Sequence, residues 1–163
     1  MALRSLLASG LGIMVALAAS APAAVHAADQ DLLKTRVVKR AYADVRIDIQ
    51  NAIINQGLKI DFNGRLGDML KRTASDVGAK GDLYVDAEYF TFCSSKLSRG
   101  MMDADPVNLG LCPYTMFIYQ RAGTTDEVTI GYKGMPMRGD EGSRKSLGEI
   151  NALLDKILDD ASQ

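Results

Sequence analysis

PYTMFIYQRAGTTDEVTIGYK, residues 113–133, decides the fold class. Two runs rich in β-branched and aromatic residues, 113–121 and 127–133, flank the polar turn Gly123–Asp126 and read as a β-hairpin. A hairpin late in the chain, with only one or two crossovers before it, favours α+β over a doubly wound parallel sheet. Upstream, residues 83–93 form a strand with two unlike faces. Leu83, Val85, Ala87, Tyr89, Thr91 and Cys93 lie on one face, and Tyr84, Asp86, Glu88, Phe90 and Phe92 on the other. The first is the more uniformly uncharged face and is expected to meet the core.

Further out, the pattern alternates. Residues 37–42 read as a strand, Asp44 as the cap of a helix over 45–56, and Gly57 as its stop. Leu58–Phe62 is a second strand, closed by Asn63-Gly64. Leu66, Met69, Leu70, Thr73, Ala74 and Val77 keep helical spacing and predict an amphipathic helix packed on the sheet. A short helix over 96–104 ends at Asp105-Pro106, because the residue before proline resists helical geometry. After a Gly- and charge-rich loop over 134–145, Ser146 and Glu149 form a capping box. The last helix then buries Ile150, Leu153, Leu154, Ile157 and Leu158. The expected architecture is a two-layer sandwich, a mainly antiparallel sheet with helices on one face.

The first 27 residues read as a secretory signal. Arg4 supplies the positive start, Leu6–Ala19 the apolar run, and Val25-His26-Ala27 the small-residue cleavage site. The apolar run is shorter than the roughly 20 residues a spanning helix needs. Cleavage leaves one domain, residues 28–163, in the bacterial periplasm. It also removes His26, the single histidine of the 163-residue chain. Zinc-hydrolase signatures, Ser-His-Asp triads and haem ligation through histidine are thereby excluded. No phosphate-cradling glycine motif occurs. Loss of Arg4 leaves 18 basic residues against 20 acidic ones, a balance that draws the chain neither to nucleic acid nor to a membrane surface.

Cys93 and Cys112 end one predicted strand and begin the next. In an oxidising compartment they are expected to form a disulfide worth about 3 kcal/mol. Redox or sulfur-carrier chemistry, metal ligation and free thiols are the alternatives. Met101-Met102, Met116 and Met135-Pro136-Met137 offer soft sulfur ligands, so Cu(I) binding through Met and Cys is a further reading. The methionines serve equally well as core fillers.

Several segments carry a family likeness. They are Asp48-x-x-Asn51-Ala-Ile-x-Asn55-x-Gly57-Leu, Gly67-Asp68-Met69-Leu70-x-Arg72-Thr73, and Phe92-Cys93-Ser94 with Leu97-Ser98-Arg99. Met101-Met102-x-Ala104-Asp105-Pro106 and Cys112-Pro113-Tyr114 follow in order. Together they resemble exported proteobacterial members of domain-of-unknown-function family 302. The resemblance spans roughly residues 37–135 and implies a sheet backed by helices, in the TATA-binding-protein-like class. It implies no catalytic residues and no cofactor.

The leading functional reading is a non-enzymatic periplasmic domain, stabilised by a disulfide, that binds a small ligand or a protein partner. A second copy of the chain is among the partners considered. The expected binding surface combines Tyr84, Asp86, Glu88, Phe90 and Phe92 with the 94–112 excursion, including Arg99. Aromatic rings beside carboxylates on an uncovered sheet face suit a ligand groove. The alternative is redox or sulfur handling at Cys93 and Cys112.

Overall fold

The structure is a computed structural model that describes residues 32–163; the expected export segment lies outside the described residues. Five strands form one antiparallel sheet in the order β1-β5-β4-β3-β2. They are β1 (Leu33–Val38), β2 (Ile60–Gly64), β3 (Tyr84–Phe92), β4 (Tyr114–Arg121) and β5 (Val128–Lys133). The helices are α1 (Tyr42–Asn55), α2 (Leu66–Arg72), α3 (Ser95–Ala104) and α4 (Glu141–Ala161). The predicted α+β sandwich and its terminal hairpin are present. Because β1 and β2 are the two edges, α1 carries the chain across the whole sheet between them.

The core lies between the sheet and the helices α1 and α4. Val45, Ile49, Ala52 and Ile53 of α1 are buried, as their spacing predicts. They meet Leu147, Ile150, Leu154, Ile157 and Leu158 of α4 and the sheet residues Phe90, Phe92, Tyr114, Met116, Ile118 and Ile130. The short helix α3 packs against α4 rather than on the sheet.

Element boundaries differ from the sequence reading at several places. The first strand ends at Val38, and α1 begins at Tyr42 with Ala41 as its N-cap. Asp44 therefore sits inside the first turn, where its charge favours the helix N-terminus without capping it. Strand β2 runs on through Asn63 and Gly64, which pair with Phe90 and Tyr89 instead of turning. Helix α4 starts five residues before the expected capping box, because Asp140 accepts a 2.8 Å bond from the Ser143 amide. The Arg138-Gly139-Asp140 run is thus helix-starting structure, with Gly139 in the left-handed region at φ 79°.

The largest correction concerns the two faces of β3. Phe90 and Phe92, expected on an open face, are fully buried under the helices. Register explains it: Phe90 stands opposite Met116 and Phe92 opposite Tyr114, and both partners are core residues. The face judged better suited to the core is the uncovered one, with Leu83 58% and Val85 42% exposed. A register shift between Tyr84 and Asp86 also breaks the alternation there. Tyr84 is thereby moved onto the side of Ala87 and Tyr89, away from Glu88.

Helix α2 is the other surprise. Its periodic pattern runs to Val77, yet the helix stops after Arg72, and Thr73 Oγ1 turns back to the Met69 carbonyl at 3.0 Å. Leu66, Met69 and Leu70 stay more than a third exposed. The helix seats through Gly67 instead: a Cβ there would lie 2.8 Å from the Ala87 backbone nitrogen. It therefore lies on the corner of the sheet face that α1 and α4 leave open.

Candidate functional site

On that open face, side chains follow from strand register. Tyr89 of β3 stands opposite Gly64 of β2 on one side and Phe117 of β4 on the other, and Phe117 stands opposite Gly131 of β5. Both aromatic rings pass over glycine. A Cβ at Gly64 would overlap the Tyr89 ring, and one at Gly131 would come 2.6 Å from the Phe117 ring. Glycine weakens a strand but here admits a ring lying across it. Phe62 stands 6.0 Å from Tyr89 and Tyr84 5.3 Å from Tyr119, centroid to centroid. Phe117 and Tyr119 are nearly parallel, at 11° and 6.4 Å.

These rings frame a cleft of about 210 Å³ lined chiefly by Leu66, Tyr84, Ala87, Tyr89, Phe117 and Tyr119. Small Ala87 makes its floor, and Leu66, held by the seating of Gly67, makes a wall. Apolar bodies with phenolic tips offer stacking area plus a few hydrogen bonds. Of the expected ligand-binding residues, Tyr84 and Glu88 border this cleft, Tyr84 with its ring and Glu88 with its carboxylate turned away to Arg46.

Asp86 is half-buried opposite Gln120 of β4, and the functional groups of the rest lie elsewhere. Glu88 points under the sheet and is 7% exposed. Arg46 Nε lies 3.0 Å from both of its carboxylate oxygens, and the Tyr42 hydroxyl donates at 3.4 Å. Arg46 in turn donates to Gln50 and Asn63 at 3.2 Å, and its guanidinium lies 5.9 Å from the Phe90 ring centre. A buried carboxylate is tolerable only when paired and hydrogen-bonded, and this one is both. Burial, then the charges of Glu88 and Asp86, raise Tyr42 well above the usual phenol range, which keeps it a donor. Glu88 is thus a structural anchor of α1 on β3. Arg99 projects from α3 and binds Asp103 at 2.7 and 2.8 Å, remote from the open face. The 94–112 excursion packs with the helical layer and does not join the aromatic cleft.

Cys93 and Cys112 do come together, but as thiols. The pairing of Phe92 with Tyr114 brings both to one sheet end. The expected disulfide is not formed; Cys112 Sγ lies 3.3 Å from Ser98 Oγ, which is 2.9 Å from the Tyr114 hydroxyl. Burial, followed by contact with Cys112, pushes the Cys93 thiol up to about 11. Among the methionines, Met101, Met116 and Met135 are buried core residues, and exposed Met137 lies 3.6 Å from Asn151 Nδ2. Among the described residues, no three His, Cys, Asp or Glu side chains gather as a metal site. None of the described helices is long and apolar enough to cross a membrane.

Phe62, Leu66, Phe117 and Tyr119 are functional candidates that sequence reasoning missed, while it assigns Ala87 and Tyr89 to the core instead. The signal was available in β4, where Thr115, Phe117 and Tyr119 alternate with Tyr114, Met116 and Ile118.

Comparison with solved structures finds a crystal structure of an uncharacterized conserved protein, DUF302, from Bacillus stearothermophilus. The two chains superpose with a TM-score of 0.64 at 14% identity, over 80% of this chain and 98% of the other. They share a fold. Comparison with protein-family models finds no match, and comparison with curated proteins finds none either.

Proposed function

We propose that this chain is an exported, periplasmic binding domain of the DUF302 family that takes a small, flat, mainly apolar ligand in the aromatic cleft. The observation behind this reading is the cleft itself, with Tyr84, Tyr89, Phe117 and Tyr119 grouped around small Ala87 on an uncovered face. Core packing does not account for those rings. The N-terminal signal supports export, and the shared fold supports the family. A Cys93–Cys112 disulfide belongs to the same proposal, since an oxidising compartment would join thiols already placed at one sheet end.

A naphthalene sulfonate added to isotope-labelled protein should shift the backbone amides of Leu66, Ala87 and Tyr119. Tyr119→Ser should weaken that binding about tenfold, the scale of one lost aromatic contact. Shifts confined to other surfaces, or unchanged affinity in the variant, would reject the cleft.

A second reading rests on how far the apolar surface spreads. Leu33 and Val37 on the edge strand β1 and Phe62 on the opposite edge are each more than half exposed. A protein partner or a second copy laid across the whole face would cover all three. Sedimentation over a concentration series separates a self-associating face from a small-molecule cleft.

A further inference from the structure

The two cysteines differ in what surrounds them. Cys112 borders a cleft of about 220 Å³ at the sheet end, with Pro113, Thr115, Lys133 and Met135 among its walls. Cys93 is not part of that lining. The Ser98 hydroxyl, itself buried, reaches the Cys112 sulfur and the Tyr114 hydroxyl and also acts on Cys93, so the open cleft beside Cys112 is what sets the two apart. Lys133 sets a cation at the mouth, which suits a disulfide carrying carboxylates.

We propose that Cys112 and Cys93 form an asymmetric dithiol exchange site for small, carboxylate-bearing disulfides, with Cys112 attacking and Cys93 resolving. Cys112 gives up its proton to water, and its thiolate attacks one sulfur of the incoming disulfide. That S–S bond breaks, one half leaves as a thiolate that takes up a proton, and the other half stays bonded to Cys112. Cys93 then loses its proton, attacks the Cys112 sulfur and expels the second half as a thiol. Two protein thiols become one disulfide, and one small disulfide becomes two thiols; two electrons pass to the small disulfide. The raised Cys93 thiol fits the second role, because a desolvated thiol is a poor first nucleophile and needs its target held alongside.

Glutathione disulfide, which carries four carboxylates in all, is the probe, and intact-mass measurement is the readout. The wild-type chain should reach the internal disulfide without accumulating a mixed species. Cys93→Ser should trap one glutathionyl group on Cys112, and Cys112→Ser should react at least about tenfold more slowly. Lys133→Gln should slow the first step severalfold for this disulfide and slow it less with uncharged hydroxyethyl disulfide. Equal rates for the two single-cysteine variants, a dominant adduct on Cys93, or no reaction of the wild-type chain would each overturn the proposal. Should a serine variant fail to fold, limited alkylation of the reduced wild-type protein replaces it: Cys112 labelled first supports the assignment, and Cys93 labelled first or at the same rate defeats it.

Discussion

The covered face of the sheet holds Phe90, Phe92, Tyr114 and Tyr132, while the open face of the same central strands holds Tyr89, Phe117 and Tyr119. Residue type does not tell these sets apart; their neighbours do. On the covered side the aromatics stand among Met116, Ile118 and Ile130 and meet two helices. On the open side Tyr89 and Phe117 stand opposite Gly64 and Gly131, Tyr119 opposite Thr129, and Thr91 opposite Thr115. Rings in the first setting are tightly enclosed. Those in the second lie across the sheet and keep one surface for something else.

The sharpest way to break this contrast is to truncate one ring from each side. Phe92→Ala should cost about 4 kcal/mol of unfolding free energy, the scale for a fully buried aromatic in a packed core. Phe117→Ala should cost about 1 kcal/mol, because its half-exposed ring loses less buried area. Denaturant titration measures both, and equal losses would erase the distinction between the faces.

A second test asks whether Glu88 belongs to the covered side. Glu88→Ala leaves Arg46 half-buried without its carboxylate and should cost about 3 kcal/mol. An Arg46→Leu/Glu88→Leu double variant should recover most of that loss, since removing both charges leaves neither unpaired. A functional carboxylate on an open face would give the reverse: little loss of stability and a loss of binding.

The last test is a pH dependence. Cys93 is raised from an ordinary value of 9.0 to about 11, and Tyr114 and Tyr132 from 10.0 to about 12, in each case chiefly by burial. Each folded site holds its proton more tightly than the unfolded chain does. Their contribution is complete below about pH 9 and is lost as pH rises toward 12. In the reduced protein thermal midpoints should therefore fall across that window, and Cys93→Ser should flatten its lower part. A midpoint rising with pH between 9 and 11 would contradict the burial of these groups.

Much of the fold was legible because its signals are local. The hairpin at 113–133, the α1 stripe of Val45, Ile49, Ala52 and Ile53, and the α4 stripe from Ile150 to Leu158 each depend on spacing within one element. The site was not legible, because the side on which a strand residue lies depends on register with strands distant in sequence. Asp86 and Glu88 made their face of β3 look exposed. Arg46, 42 residues from Glu88, reverses that reading by pairing with it. The α2 pattern failed for a related reason: its seat is the bare surface of Gly67, which no hydrophobic period records.

Among the described residues strand β1 bonds only to β5, so the partners of Leu33–Val38 lie 90 to 100 residues further along the chain. During synthesis the first strand therefore waits, with an open edge on each side, until residue 133 has left the ribosome. Pairing over such a separation is entropically slow to close, and the sheet completes late. Under the proposed export, that arrangement gives the chain time to cross a membrane before folding, because closing the sheet needs a segment 90 to 100 residues downstream of the first strand.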